Sequence, residues 1–299
     1  MIKRGWLVND TLTCIPGTKT FWHDLLDNVE GLEDKCNGYT PYNILVNKIV
    51  EYSQGEGKPD YIIRNGSFFS HIPIGVPTIS LLQDLGHGRM DACNNSSVVV
   101  FNSPYTKAHY PQVTCRTEII PLGIDFNTFK PSESFQDELG ILDNSILFIG
   151  SSQNHPKGFN KVLELINHTD YNFCLVMKDD FTMDHPRVKV FNRISHDILV
   201  KVMNSCSLLV CTSVVETQHL AGIEAAACDL PLVTTDVGAY YGKEDGEWGV
   251  RVLDGNFKVK VDYVMNNLNK FSPRKHFLEL GYDKPSCMNK WNELIKSIT

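Results

Sequence analysis

The chain is expected to fold as an α/β protein with two halves, each built around a parallel β-sheet covered by helices. Short apolar runs rich in β-branched residues alternate with segments of helical spacing along the whole sequence. One polar stretch, residues 129–137, interrupts this alternation with a proline and no periodicity, as a linker does. The 299 residues are enough for two halves with separate cores. We therefore place a first domain at 1–131 and a second at 132–299.

The first half contains five apolar runs that predict strands, at 2–8, 60–64, 77–82, 97–101 and 117–121. Between the first two, Leu45, Ile49 and Tyr52 recur at helical spacing and predict a helix over 42–52. The second half repeats the scheme. Its predicted strands are 146–149, 173–177, 188–191, 208–211 and 232–234, and its predicted helices are 157–167, 196–204, 220–228, 257–270 and 286–298.

Charge, hydropathy and the use of cysteine limit which binding partners and which cellular compartment the sequence predicts. The net charge is −7, divided as −2 over residues 1–131 and −5 over the rest, which argues against a polyanionic partner. The sequence has no apolar run of 18 residues, and its first residues turn polar too early for a signal peptide. The nine cysteines form no Cys-x-x-Cys pair and several lie in apolar runs, as reduced core thiols do. These features predict a cytoplasmic protein without a transmembrane segment.

The segment 213–233 carries the strongest chemical signal. It follows a predicted strand, crosses a polar loop and opens an alanine-rich helix that ends before Pro231. The N–H groups at such a helix N-terminus bind phosphate or another anion. Glu216 lies in the loop and Glu224 one turn into the helix, so both can face the crevice at the carboxyl ends of the strands. Taken alone, such a pair more often consists of two solvated surface carboxylates.

Glu216 and Glu224, followed by three alanines and a proline-led strand, resemble the donor-sugar signature of retaining glycosyltransferases, especially family 4. Residues 119–131 resemble that family's interdomain segment, and 148–159 its phosphate-binding strand, loop and helix. The resemblance is specific from about 117 to 253. It implies the GT-B fold, two Rossmann-like domains with parallel sheets and an active site in the cleft between them. It also implies that the last helix crosses back to pack on the first domain.

The resemblance implies an enzyme that transfers a hexosyl or pentosyl group from a nucleotide-diphosphate sugar with retention at the anomeric carbon. Lys157 and Glu216 would be the catalytic residues, Lys157 against the donor pyrophosphate and Glu216 near the anomeric carbon. Glu224 would accept hydrogen bonds from the ribose hydroxyls. The N–H groups of residues 220–222 would face the distal phosphate, with Gly222 leaving room for close approach. Besides Lys157 and Glu224, the implied donor-binding residues are Gly17, Gln83, Ser151, Arg193, His219, Leu220, Ala221 and Gly222.

The sequence departs from the family pattern in three places. The loop 151–155 lacks the usual arginine, so one phosphate-neutralising charge is missing unless His155 or another residue replaces it. Gln83 stands where the family commonly has a histidine, and an amide can bind a hydroxyl but cannot carry a proton. The glycine-rich loop after the first strand is reduced to Pro16-Gly17-Thr18.

The proposed chemistry needs no metal or other cofactor, because the leaving diphosphate can accept the acceptor's proton. The ten histidines are scattered and show no ligand spacing. The expected partners are a nucleotide sugar and an acceptor, for which a glycan is favoured over a modified DNA base. The small size and many asparagines suggest a viral or phage source, with the host cytoplasm as location. Two alternatives stay open: a nucleotide-sugar epimerase or hydrolase, and a non-catalytic nucleotide-sugar-binding protein, which Gln83 and the missing arginine favour.

Overall fold

The structure is a computed structural model that describes residues 2–8, 16–35, 42–65, 74–85, 90–153 and 155–299. The chain forms two compact units. The first unit consists of residues 1–123 and 284–299, and the second of residues 124–283. The predicted linker, 129–137, lies within the second unit.

The first unit contains a six-stranded parallel sheet in the order β2-β1-β3-β4-β5-β6. Its strands are β1 (Gly5–Val8), β2 (Leu32–Asp34), β3 (Tyr61–Asn65), β4 (Thr78–Leu82), β5 (Val98–Phe101) and β6 (Thr117–Ile119). The helices between them are α1 (Pro16–Asn28), α2 (Tyr42–Gly55), α3 (Met90–Asn94) and α4 (Pro104–Ala108). The central strands β4 and β5 are buried along their whole length, as expected of a parallel sheet covered on both faces.

The second unit contains another six-stranded parallel sheet, in the order β12-β11-β10-β7-β8-β9. Its strands are β7 (Ser145–Gly150), β8 (Asn172–Met177), β9 (Val188–Asn192), β10 (Leu208–Cys211), β11 (Leu232–Thr234) and β12 (Gly249–Arg251). Its helices are α5 (Gln136–Leu139), α6 (Phe159–His168), α7 (His196–Met203), α8 (Leu220–Ala227), α9 (Phe257–Met265) and α10 (Pro273–Glu279). The chain then returns to the first unit as α11 (Lys284–Ile298).

The strand order fixes where each unit can bind a ligand. In the second unit the chain runs outward from β7 through β8 to β9 and then restarts on the other side of β7 with β10. The connections that follow β7 and β10 therefore continue toward opposite edges of the sheet, and the crevice expected at such a reversal lies at the carboxyl ends of these two strands. In the first unit the same reversal lies between β1 and β3.

The predicted two-sheet α/β architecture is confirmed, and all ten predicted strands are present at their cores. Two short strands, β2 and β12, were not predicted, because Leu-Glu-Asp and Gly-Val-Arg each contain a single large apolar residue and form no apolar run. The predicted helix 257–270 ends at Met265 and is followed by a single 3-10 turn over Leu268–Lys270. Within the described residues, no helix is both long and apolar enough to cross a membrane.

Candidate functional site

The crevice of the second unit is formed by the loops that follow β7 and β10. Two hydrogen bonds join these loops: the Val214 N–H donates to the Pro156 carbonyl, and the Thr212 side-chain hydroxyl donates to the Lys157 carbonyl, each at 2.8 Å. Segments 156–158 and 212–214 therefore lie side by side at the carboxyl ends of neighbouring strands. This contact brings the predicted phosphate loop against the predicted donor-sugar loop.

Gly158 makes this close approach possible. It is the N-cap of α6 and has a φ of 66°, in the left-handed region that favours glycine. A β-carbon at this position would collide with the carbonyl group of Thr212. The glycine therefore holds Lys157, its neighbour, at the end of β10.

Lys157 and Glu216 meet in the crevice as an ion pair between the Lys157 ammonium and Glu216 Oε1. The Ser213 hydroxyl donates to the same oxygen at 2.9 Å. The two side chains are only 23% and 13% exposed, so solvent screens the pair weakly. Burial by itself raises the pKa of Glu216, but the charges of His219 and Lys157 outweigh burial, and the pKa is lowered. Glu216 is therefore a carboxylate at neutral pH.

His219 supports Glu216 from the protein interior. It is the N-cap of α8, with a left-handed φ of 66°, and its side chain makes no capping bond. Its Nδ1 lies 3.1 Å from the hydroxyl of Tyr240, whose ring stacks on Trp248. Burial lowers the pKa of His219, but Cys211 and Glu216 outweigh burial and raise it. The ring is buried against protein groups, whereas the sequence analysis placed it against the donor.

The N-terminus of α8 offers two N–H groups rather than the three that were predicted. Within the described residues, the N–H groups of Leu220 and Ala221 have no hydrogen-bond partner, whereas that of Gly222 donates to the His219 carbonyl at 3.1 Å. Gly222 was predicted to leave room for a phosphate. The structure gives it another role, because a β-carbon there would collide with the Tyr240 hydroxyl and the His219 ring. Gly222 is small so that these two side chains can meet.

Glu224, one turn into α8, differs from Glu216 in having no counterion. Within the described residues its carboxylate makes no hydrogen bond or ion pair. Burial raises the pKa of Glu224, and the more distant charges of His196, His219 and Lys178 only partly oppose this. An acceptor-only side chain in this state is suited to binding hydroxyl donors of a ligand.

The loop after β7 is held by a carboxylate of the protein itself. Asp179 accepts hydrogen bonds from the Ser152 N–H at 3.1 Å and from the Ser152 hydroxyl. The Ser152 hydroxyl and the other hydrogen bonds outweigh desolvation and lower the pKa of Asp179. Ser151, predicted to bind the donor, accepts a weaker bond from the Gln153 N–H at 3.3 Å. The Ser152 N–H is thus occupied by a carboxylate of the protein, whereas Lys157 and the start of α8 are groups of the described part of the crevice that can bind an anion.

The other predicted site residues lie elsewhere. Arg193 is 63% exposed at the end of β9 and pairs with Asp180 at 3.0 Å. Gln83 and Gly17 belong to the first unit. Gln83 follows β4 and is buried, and its Oε1 has no partner within the described residues. Gly17 is in the first turn of α1 rather than in a loop, and the His155 side chain lies outside the described part of the chain.

Sequence reasoning missed three residues that shape the site: Tyr240, Asp179 and Cys211. The last of these forms a compact group with Glu216 and His219, since the sulfur, a carboxylate oxygen and a ring nitrogen all lie within 4.8 Å of one another. These three types of ligand suit a metal ion such as zinc. The signal was present as a Cys-x4-Glu-x2-His spacing, which matches no common zinc motif.

Known proteins resemble this chain both in sequence and in fold. Residues 143–262 match the family model described as glycosyl transferases group 1. Among solved structures, the Anabaena protein HepE in complex with UDP is 17% identical over 98% of this chain and 100% of its own, with a TM-score of 0.75. The sucrose-phosphate synthase of Thermosynechococcus elongatus is 14% identical over 99% of both chains, with a TM-score of 0.76. The lipopolysaccharide outer core galactosyltransferase WaaB is 12% identical over 98% and 99%, with a TM-score of 0.72. No curated protein matches the sequence.

The two parallel sheets, the crevice between β7 and β10 and these similarities define an enzyme of the glycosyltransferase class with the GT-B fold. Residues 143–262, about two fifths of the chain, are the part that is similar to the glycosyl transferases group 1. The resemblance drawn from Glu216 and Glu224 is confirmed at this level.

Proposed function

We propose that this enzyme transfers a sugar from UDP-sugar to a glycan acceptor, with retention at the anomeric carbon. The observation that carries the proposal is the Lys157–Glu216 ion pair at the crevice, together with two N–H groups of α8 and the carboxylate of Glu224 that have no partner within the described residues. HepE, which shares the fold, has been solved with UDP and with UDP-glucose, and this supports uridine as the nucleoside.

The diphosphate is assigned to the N-terminus of α8. The N–H groups of Leu220 and Ala221 lack partners within the described residues, and an anion at this helix end gains from the helix dipole. Lys157 supplies the positive charge, since the loop after β7 carries no arginine and its Ser152 N–H is bound by Asp179. As the bond to the sugar breaks, negative charge grows on the diphosphate, and this cation stabilises it.

The two glutamates take different parts of the donor. Glu216 is kept ionised by His219 and Lys157, so it can accept hydrogen bonds from the sugar and stabilise the positive charge that develops at the anomeric carbon. His219 also favours the ionised form of Glu216, and it stays beside Glu216 when Lys157 turns to the diphosphate. Glu224 has no protein partner within the described residues and is assigned to the ribose hydroxyls, which would replace the water that it loses on burial.

The chemistry proposed here requires no protein base and no metal. The acceptor hydroxyl attacks the anomeric carbon on the face that the diphosphate leaves, the carbon–oxygen bond to the phosphate breaks, and the hydroxyl proton passes to the departing phosphate oxygen. The protein contributes positioning and charge. A glycan is the proposed acceptor, because residues 1–131 carry a net charge of −2 and a DNA-binding surface normally has a basic surplus.

The first test is a thermal-shift series with UDP, GDP, ADP and their glucose conjugates, followed by assay of released diphosphate with and without glycan acceptors. A ligand at 100 times its Kd stabilises a folded protein by about 2.7 kcal/mol, which is readily measured. UDP should give the largest shift. Release that needs no acceptor would instead indicate a hydrolase or epimerase, and binding without turnover a non-catalytic protein.

Lys157→Ala provides the matched test of the site. Loss of one charge on the leaving group should cost about 2–4 kcal/mol of transition-state stabilisation, roughly 30- to 1,000-fold in rate. Lys161→Ala is the control, because this lysine lies one turn further along, pairs with Glu164 and is 48% exposed. A loss below about threefold in Lys157→Ala, or equal losses in both variants, would remove Lys157 from the proposed site.

A further inference from the structure

Cys211, Glu216 and His219 form a cluster that the transfer reaction leaves partly unused. Cys211 is the last residue of β10 and takes no part in the proposed binding of the donor. Its sulfur, a carboxylate oxygen of Glu216 and a ring nitrogen of His219 lie within 4.8 Å of one another. Cys211 and His219 are buried, and Glu216 is the member that reaches solvent, with its side chain 13% exposed.

We propose that these three residues form a binding site for a thiophilic divalent cation, Zn²⁺ being the best match, and that its occupation inhibits the enzyme. The ligand set of one thiolate, one imidazole and one carboxylate is typical of zinc. Tetrahedral zinc with ordinary bond lengths places such atoms about 3.3–3.7 Å apart. The observed separations need at most a small convergence of the three side chains.

The surroundings of the cluster orient two of its ligands. Tyr240 contacts His219 Nδ1 at 3.1 Å and fixes the ring, which leaves Nε2 for the metal, and such an outer contact is usual for a metal-binding histidine. Lys157 and Ser213 both bind Glu216 through Oε1, so Oε2 has no partner within the described residues. Glu216 follows directly after the exposed residues Val214 and Val215, so the cluster is close in sequence to an exposed part of its loop.

Inhibition follows from what the metal would take away, and this step rests on the proposed function. A bound cation claims the Glu216 carboxylate, which would otherwise face the sugar. It also repels the Lys157 ammonium, which now lies against that carboxylate. Transfer should therefore fall as the site fills, while nucleotide binding through Glu224 changes less.

Binding is tested first, on the whole protein and without any sugar donor. Co²⁺ serves as a spectroscopic probe for the zinc site: coordination by Cys211 should give a thiolate-to-cobalt charge-transfer band, and added Zn²⁺ should abolish the band at one equivalent. Cys211→Ser should lose the band, and Tyr240→Phe should weaken Zn²⁺ binding roughly tenfold or more. Cys93→Ser, which alters a buried thiol of the first unit, is the control and should keep both. Absence of the band in the folded wild-type protein overturns the site.

Inhibition is tested second, as the ratio of transfer rates with and without Zn²⁺. The ratio should fall in the wild type and in Cys93→Ser and stay near one in Cys211→Ser, with thermal melting used to confirm that each variant is folded. If Co²⁺ binds through Cys211 but transfer is unaffected, the inhibitory role is wrong and the binding site stands. If no transfer is found at all, the proposed function fails, and the cobalt spectrum still decides whether the metal site exists.

Discussion

Substitution by glutamine should change the stability of the protein in opposite directions at Glu216 and at Glu224. Both side chains are largely buried, Glu216 in the loop before α8 and Glu224 within α8. Glu216 has Lys157, Ser213 and His219 around it, whereas Glu224 has no partner within the described residues. Replacing each carboxylate with the nearly isosteric amide removes the charge and little else. The sign of the stability change then reports whether the protein stabilises or tolerates that charge.

The expected magnitudes follow from these surroundings. Removing one member of a buried ion pair costs 3–5 kcal/mol, and the partial exposure of Lys157 reduces this to about 1–3 kcal/mol for Glu216→Gln. Glu224→Gln removes a charge that burial disfavours and should stabilise the protein without ligand by about 0.5–2 kcal/mol. For a unit of this size, each kcal/mol shifts the Tm by about 2–4 °C. Glu216→Gln should also lose transfer activity, and Glu224→Gln or Glu224→Ala should weaken nucleotide binding.

The variants are unfolded with urea at pH 7 without nucleotide. Hydrogen exchange of the amides in β10 and α8 is the probe, so that the unfolding of the second unit itself is measured. The pH dependence gives a further check. The pKa of Glu224 is raised, so the advantage of Glu224→Gln is present at neutral pH and is lost as the pH falls through that raised value. The pKa of Glu216 is lowered, so the stability it contributes is lost only at lower pH. Changes of the same sign in the two glutamine variants would refute this account of the site.

Two further predictions concern the framework of the site. Gly158→Ala should destabilise the second unit by about 1–3 kcal/mol and reduce transfer, because the alanine has a strained φ and its β-carbon collides with Thr212. The control is Gly255→Ala, which has a φ of 76° and open space around it and should lose stability through the strain alone. Equal losses of stability in urea unfolding would show that the collision is relieved. Arg274→Ala should lower the free energy of unfolding by about 2–4 kcal/mol. The Arg274 guanidinium donates to the carbonyl groups of residues 126, 129 and 227 and lies 5.1 Å from the centre of the Phe126 ring. The control is Lys275→Ala at the exposed neighbour, and equal Tm values for the two variants would contradict the role of Arg274.

The sequence predicted the sheets because parallel strands are long apolar runs with clear boundaries. Ser145–Gly150 and Asn172–Met177 are examples, each buried along nearly its whole length. The roles predicted for Glu216, Glu224 and Lys157 rest on short motifs, and a short motif can be recognised from neighbouring residues in the sequence without the fold. The structure then explains why Lys157 and Glu216 meet, through the contact of Gly158 with Thr212.

What the sequence did not reveal depends on contacts between distant residues. Tyr240 reaches His219 across 21 positions, and Asp179 reaches Ser152 across 27. Neither contact has periodicity or a motif, because each is set by the order of strands in the sheet. The contacts of Gly222 were missed for the same reason: a small residue at a helix N-terminus suggests space for a ligand, and sequence alone does not show that the Tyr240 hydroxyl and the His219 ring lie beside it.

The return of the chain to the first unit makes that unit discontinuous in sequence. Residues 124–283 form the second unit as one uninterrupted stretch, whereas the first unit needs α11, in which the fully buried Trp291 packs against Phe21. On the ribosome, all of the second unit therefore emerges before the first unit has its last helix. N-terminal domains usually fold first during synthesis. Here the second unit can complete its core before the first unit does. A chain cut short before Lys284 would keep a complete second unit and leave the first unit with an uncovered apolar surface.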